Sequence, residues 1–524
     1  MFHSWIRHSG LSLVNPLLVR LCQFTILSVA LLSGSSNPAN GATVNRASFG
    51  PAWKAVDCKT FDVPSSVAAL SDCGYVSVPE QHGQPQGPSI QLGVVHTRST
   101  ANVPAPDPLF VEQGGPGGTT IGVFVNLALP SHPGLKALLQ SRNLIFMEER
   151  GTKYAIPYLS CPELNAHSIA VAKWEKEYTD PDWIKVCHER MKTHGVNPNA
   201  FNTRENAADI YFVADALGYE QFNFYGVSYG TLLGQYVIAQ ADKHKSQLRS
   251  VILDGVVRPD LDFNLASGHA ISYALRNVFH ACTQDQKCSR AYPNLERNFL
   301  ALVDRLNQKP IDLALTIPSS QMMIASMLDG NTFVDGIMPY LLTTPHGGDL
   351  PKQIQAASQG DFAWIAKKLS EALENDNAKE MYHSVLCART KSLQVTPDQV
   401  LPAPYPQLLP VGIRESQAVM KACHLLQIEL KPPFVQQNSE IPTLIFNGAF
   451  DPVTPQPYGE AVAKNLKTAY VYTFPGVGHG ALIVPANLPA AACSTQIAVN
   501  FLTNPNKEPD SSCLSQLRPV FSVE

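Results

Sequence analysis

The chain has 524 residues, 45% of them hydrophobic and 16% charged, with a formal net charge of -4 at pH 7. That composition supports more than one hydrophobic core, or one core with a large insertion, and excludes a disordered chain. No lysine- or arginine-rich run supplies the electrostatic footprint of a nucleic-acid binder, so that class of partner is set aside.

Arg7 and Arg20 precede an apolar run at 24–32, and small residues follow at 33–36 and 39–42. A basic region, a short apolar core and a small-residue site make up a secretory signal peptide, assigned here to residues 1–42. An uncleaved anchor is the alternative, but the run is too short to cross a bilayer comfortably. No stable membrane span is therefore expected after cleavage. Of the 11 cysteines, Cys22 lies in this segment. The others are Cys58, Cys73, Cys161, Cys187, Cys282, Cys288, Cys387, Cys423, Cys493 and Cys513. An even number without Cys-x-x-Cys spacing reads as a disulfide framework in an oxidising compartment, hence a secreted or periplasmic protein. Pairing sequence neighbours is the simplest of the many possible connectivities.

Along the mature chain, residues 74–79 and 90–95 alternate like antiparallel edge strands. Residues 108–112 and 143–147 read as buried strands, the first ending in Gln113-Gly114-Gly115-Pro116-Gly117-Gly118. The region holding Cys161 and Cys187 reads as a helical excursion. Apolar residues at Ala207, Ile210, Tyr211, Ala214 and Leu217 predict a helix, with Asn202 and Glu205 as a capping box and Gly218 as its stop. A further apolar run then enters Gly226-Val227-Ser228-Tyr229-Gly230, and 231–239 continue as a helix. Another strand ends at Asp254-Gly255. Strands alternating with helices argue for a mostly parallel α/β sheet rather than a sandwich or bundle.

From about 260 to 437 that rhythm stops. Helices are predicted over 271–282, 294–306, 361–374 and 416–426, broken by proline-rich stretches such as 401–406. This reads as an inserted, mainly helical lid over 261–437, between a first core segment at 43–260 and a second at 438–524. The second segment carries strands at 442–446 and 469–474.

Gly-x-Ser-x-Gly between a strand and a helix is the sequence form of a nucleophile elbow. A serine hydroxyl needs a base within reach, and the base needs an acid to fix its tautomer. The strand at 442–446 leads to Asp451 and the strand at 469–474 leads to His479. In a parallel sheet both loops gather at the carboxyl edge where Ser228 emerges. Asp254 competes for the acid role, but the spacing of Asp451 to His479 suits adjacent strand-end loops better. Each residue alone has a plainer reading, as a turn former or a solvated loop histidine. Together, Ser228, Asp451 and His479 follow the α/β-hydrolase order. The oxyanion donors expected are the amides of Tyr229, directly after the serine, and Gly115 in the glycine loop. The glycine spacing fits neither a dinucleotide nor a Walker motif. No cofactor and no metal-ligand cluster is implied.

With these residues the chain resembles the secreted α/β-hydrolases of the tripeptidyl aminopeptidase and proline iminopeptidase group. The resemblance rests on Gln113-Gly114-Gly115-Pro116-Gly117-Gly118, Glu149-Arg150-Gly151-Thr152, Ser160-Cys161-Pro162-Glu163, Gly226 to Thr231, Leu253-Asp254-Gly255-Val256, Asn447 to Pro455 and Gly478-His479-Gly480. It implies a serine exopeptidase that releases N-terminal residues or short peptides, with the triad on Ser228, Asp451 and His479. It also implies that the final segment, from about 430, is the family's C-terminal domain. Two departures stand out: Glu148-Glu149-Arg150-Gly151-Thr152-Lys153 where relatives often show Asp-Gln-Arg-Gly-Thr-Gly, and Arg389-Thr390 where they often carry acids after a cysteine. The group that holds a substrate ammonium is thereby unassigned, with Glu374, Asp376 and Glu380 nearby in sequence. A carboxylesterase acting on small esters would use the same triad. A non-catalytic binding protein on this fold is the remaining alternative. Composition does not bear on oligomeric state.

Overall fold

The computed structural model describes residues 49–50, 52–344, 346–374, 377–389, 401–432, 434 and 438–523. The expected signal peptide, Asp376 and Thr390 lie outside the described residues. The strands are β1 (Trp53–Val56), β2 (Ser71–Pro79), β3 (Ser89–Thr97), β4 (Ala105–Glu112), β5 (Arg142–Met147), β6 (Gln221–Val227) and β7 (Gln247–Asp254), followed by β8 (Ile311–Thr316), β9 (Met323–Leu328), β10 (Thr443–Gly448) and β11 (Ala469–Phe474). Nine form one sheet in the order β1-β2-β3-β5-β4-β6-β7-β10-β11. The first three join β5 by antiparallel pairing, and every pairing from β5 to β11 is parallel. This is the α/β-hydrolase fold.

The parallel strands are buried on both faces, so the two-residue period divides each strand between two cores. In β6, Phe222 and Phe224 face one core with the helices Thr203–Ala216 and Tyr229–Gln240. Tyr225 and Val227 face the other, shared with Pro133–Leu139 and Pro489–Thr503. Register then fixes the site edge: Glu112 lies beside Gly226, Val227 beside Asp254, and Gly448 beside Phe474. The loops that follow these strands open on the same side of the sheet.

Two local expectations need correction. β2 is not an edge strand, because β1 pairs outside it. Asn202 does cap the helix Thr203–Ala216, accepting from the amides of Arg204 and Glu205. Glu205, however, accepts from the His82 amide at 2.8 Å. Its carboxylate is committed to a neighbouring loop instead of completing a capping box. The segment between β7 and β10 is mainly helical, as expected, and also carries two strands. β8 and β9 form an antiparallel hairpin whose Leu315 and Ile324 pack with Leu373 in a small core.

That segment has its own larger core, built from helices that include Ser267–Gln284, Leu295–Gln308 and Gly330–Leu342. Phe450, only 2% exposed, belongs to this core although it follows β10. Five disulfides join Cys58–Cys73, Cys161–Cys187, Cys282–Cys288, Cys387–Cys423 and Cys493–Cys513. Each pairs sequence neighbours, consistent with an oxidising, non-cytoplasmic compartment. The Cys387–Cys423 bridge ties the helix Lys379–Cys387 to the helix Leu409–Leu426. Among the described residues no helix is long and apolar enough to cross a membrane.

Phe450 anchors the insertion beside the loop that carries Asp451. Phe450→Ala is expected to cost about 3–5 kcal/mol by opening a cavity, read as a lower denaturant midpoint with an unchanged slope.

Candidate active site

Ser228 connects β6 to the helix Tyr229–Gln240 with φ 60° and ψ -124°. A residue with a side chain rarely adopts this conformation, and it costs on the order of 1–3 kcal/mol. The surroundings enforce it. The Ser228 amide donates to the Asp254 carbonyl at 3.0 Å, and its carbonyl accepts from the Thr231 amide at 2.8 Å and the Thr231 hydroxyl at 2.6 Å. A Cβ on Gly226 would stand 2.1 Å from the Gly230 carbonyl oxygen, so only glycine lets the turn close. Gly114 lies equally close: its added Cβ would stand 2.4 Å from the Ser228 Cβ. The glycine loop after β4 therefore packs directly on the serine.

The Tyr229 amide is at the first position of its helix, where no intrahelical acceptor exists. Among the described residues neither it nor the Gly115 amide donates to a protein acceptor. Both residues line a small cavity with Ser228, Phe263, Val453 and Thr454, of about 30 Å³. The Tyr229 ring is anchored below the turn, its hydroxyl bonded to Thr203 at 2.9 Å and receiving the Asn206 amide at 3.3 Å. Asn206 also donates to Glu149. Under this network Arg150 is fully buried and holds Asp209 through two nitrogens at 2.8 and 2.7 Å. Burial, reinforced by neighbouring carboxylates, pushes Glu112 and Glu149 well above the usual range. Glu148, raised by burial alone, accepts from Thr119 and the Ile121 amide, bracing the far end of the glycine loop.

Asp451 and His479 meet at 2.7 Å, Oδ2 to Nδ1. Asp451 is 1% exposed, and its Oδ1 accepts from the amides of Val453 and Thr454, both at 2.9 Å. The Thr454 hydroxyl donates to Asp451 Oδ2 at 2.6 Å and lies 3.1 Å from His479 Nδ1. Sequence reasoning did not single out Thr454, although an aspartate followed three residues later by threonine is a local turn signal. Burial pushes the Asp451 carboxyl up, but the charge and hydrogen bond of His479, with Thr454, bring it below the ordinary carboxylate range. Burial pulls His479 down, and Asp451 more than reverses this, leaving the imidazole above its ordinary value.

The competing acid, Asp254, is occupied elsewhere. It accepts from the amides of Ala481 at 2.7 Å and Leu482 at 2.8 Å, and from Tyr225 at 3.1 Å. It braces the loop just beyond His479 rather than the imidazole, and burial raises it to about 6 despite these bonds. The insertion holds the other side. The His479 amide donates to the Leu342 carbonyl at 2.9 Å, the Gly478 amide to Thr344 at 2.8 Å, and Asn277 to the Ala449 carbonyl at 2.9 Å.

Beyond the small cavity lies one of about 540 Å³, lined by residues that include Trp183, Asn264, Lys379, Tyr382, His383 and Glu415. Phe263 faces the small cavity and Asn264, next in the chain, faces the large one. Glu374 and Glu380 do not supply a free carboxylate there. Glu374 is half-buried and bonded to Ser319, and Glu380 is buried against His188 Nδ1 at 2.6 Å. Three carboxyls line the cavity, Asp180, Asp335 and Glu415, and Glu415 is raised to about 7 by burial and by Asp335. Asp335 is already paired with Arg414 at 2.6 Å. Among the described residues, Cys161, Glu163 and Cys187 are close enough to hold a metal, but the two cysteines are bridged and Glu163 is taken by Arg190.

Two family models match the chain. One described as "alpha/beta hydrolase fold" covers residues 109–278, and one described as "TAP-like protein" covers 410–513. A tripeptidyl aminopeptidase of Streptomyces coelicolor is 27% identical over 246 residues, which is 42% of this chain and 40% of that one. The serine protease Hip1 of Mycobacterium tuberculosis is 25% identical over 251 residues, 44% of this chain and 45% of that one. The matched stretches thus span less than half of those relatives. A solved proline iminopeptidase of Mycobacterium smegmatis has a TM-score of 0.35 at 14% identity, covering 82% of this chain and 98% of that one.

With His479 raised, the fraction of neutral imidazole grows only as pH climbs through a value above its ordinary 6.5. The acid limb of kcat/KM is therefore expected above that pH. Asp451→Asn should move the limb to lower pH, because it removes the partner that raises His479. It should also cut kcat by about 10⁴-fold, measured as pH–rate profiles of both proteins on one activated substrate.

Proposed function

We propose that the chain, which an α/β-hydrolase-fold model and a TAP-like model both match, is a serine exopeptidase releasing short N-terminal peptides. Ser228 attacks the scissile carbonyl while His479 takes its proton and Asp451 holds the imidazolium. The Gly115 and Tyr229 amides receive the negative charge that develops on the carbonyl oxygen. His479 then returns the proton to the leaving amine, and a water, deprotonated by His479, hydrolyses the acyl-serine. The single observation that carries this reading is the strained Ser228 beside two amides without protein acceptors, on the same sheet edge as the 2.7 Å His479–Asp451 pair.

The segment 261–437 serves as a lid. The cavity of about 540 Å³ that it forms with residues 164–184 is large enough for a short peptide. Glu415 supports an exopeptidase over an esterase, since it lines the cavity and the neighbouring Arg414 is engaged by Asp335, which leaves the carboxyl to a substrate ammonium. A bound ammonium would also draw off the proton that burial favours on Glu415. The five disulfides support a secreted or periplasmic setting.

Purified protein assayed on a trialanine anilide, its N-acetyl derivative and a short acyl ester separates these readings. The free peptide is expected to exceed the blocked one by about tenfold or more in kcat/KM. Glu415→Gln should raise KM for the free peptide and leave the blocked one little changed. Equal rates on free and blocked peptides would rule out the exopeptidase reading, and hydrolysis of the ester alone would leave a carboxylesterase. Full activity in Ser228→Ala would overturn the mechanism.

A further inference from the structure

The large cavity carries a second charge that the proposed chemistry does not use. Lys379 opens the helix Lys379–Cys387 and lines the cavity. The residue before it, Ala378, donates its amide to the Gly117 carbonyl at 3.0 Å, so the helix start is tied to the glycine loop beside Ser228. The Lys379 ammonium lies 5.3 Å from the Tyr382 ring centroid, and among the described residues no carboxylate pairs with it. Burial alone lowers its pKa, with no acid acting against that effect. The acids near it in the fold are committed elsewhere. Glu380 is bonded to His188, Glu374 to Ser319, Asp180 to Lys176 at 2.9 Å, and Asp335 to Arg414. Glu415 lines the same cavity from the helix Leu409–Leu426, and the cation acting on it is its neighbour Arg414.

His383, one turn along the helix, donates Nδ1 to the Lys379 carbonyl at 2.8 Å, and burial keeps it neutral by lowering it to about 4. A half-buried ammonium without an anion is costly to keep, and a ligand that brings a carboxylate satisfies it.

We propose that this cavity selects substrates with an aspartate or glutamate in the short peptide to be released, the side-chain carboxylate meeting the Lys379 ammonium. The assignment rests on the exopeptidase reading and narrows it: a substrate ammonium held by Glu415 and an acidic side chain by Lys379. Arg414 does not compete for the substrate acid because Asp335 already holds it.

The test compares tripeptide anilides bearing glutamate in turn at each of the three positions with the all-alanine tripeptide. Wild type is expected to favour one glutamate peptide by about tenfold to hundredfold in kcat/KM, the range of one charge-assisted hydrogen bond. Lys379→Met, which keeps the apolar stem, should bring that ratio close to one, and Lys379→Glu should invert it toward a lysine-bearing peptide. Each ratio is taken within one preparation, so partial unfolding of a variant does not affect it. Hydrolysis with no acidic preference in wild type, or the same preference in Lys379→Met, would overturn this assignment alone. Absence of hydrolysis on every peptide, the alanine one included, would instead overturn the peptidase reading on which it rests.

Discussion

Everything at the sheet edge depends on one unfavourable backbone conformation, that of Ser228. Its positive φ throws the side chain out of the sheet and starts a helix in the same step. No local preference of serine produces this. It is enforced by the Asp254 carbonyl on one side, by Thr231 on the other, and by the missing side chain at Gly226. Thr231 also accepts from the Val257 amide at 2.9 Å, so the turn is locked to the chain leaving β7. Strain of this kind persists only where the surroundings over-determine it.

The same economy appears in the loops around it. Asp254 gives its carbonyl to the Ser228 amide and its carboxylate to the loop after His479, coupling the two strand ends. The insertion contributes backbone and side-chain acceptors to the His479 loop and an apolar anchor to the Asp451 loop through Phe450. The segment that encloses the larger cavity is thus mechanically continuous with the groups that would move protons. A shift of the insertion cannot leave the geometry of His479 untouched.

Charge is partitioned by depth. Below the elbow, buried carboxylates gather around one fully buried arginine, and burial with their mutual repulsion raises Glu112 and Glu149 above the ordinary carboxylate range. A network of that kind makes the turn rigid but is costly to break, because removing one partner strands the other. Above the elbow, the cavity carries an ammonium with no carboxylate paired to it among the described residues, and a carboxyl whose neighbouring cation, Arg414, is held by Asp335. The lower set is closed on itself. The upper set is open to a ligand.

Much of this architecture was written in local patterns. The strand at 469–474 is read from its own residues because β-branched and aromatic side chains end abruptly at Pro475-Gly476. The helix Thr203–Ala216 is read from its 3.6-residue period and its asparagine cap. Neighbouring cysteines pair because their loops are short. The hairpin of β8 and β9 was missed, although Leu313 and Leu315 alternate with polar or small neighbours, because helical stretches on either side dominate the pattern. Glu205 has the spacing of a capping residue, and nothing in its own segment reveals that His82 claims it.

The sequence by itself determined the alternating order of strands and helices, the glycines that mark strand ends, and the residue types available for acyl transfer. Those depend on contacts within a few residues or on period, which one-dimensional order preserves. Only the tertiary structure decided that Asp254 braces a loop while Asp451 meets His479, that Thr454 joins them, and that Lys379 and Glu415 share a cavity. Such relations join residues tens to hundreds of positions apart, and their identity is settled by packing and burial, which no local pattern encodes.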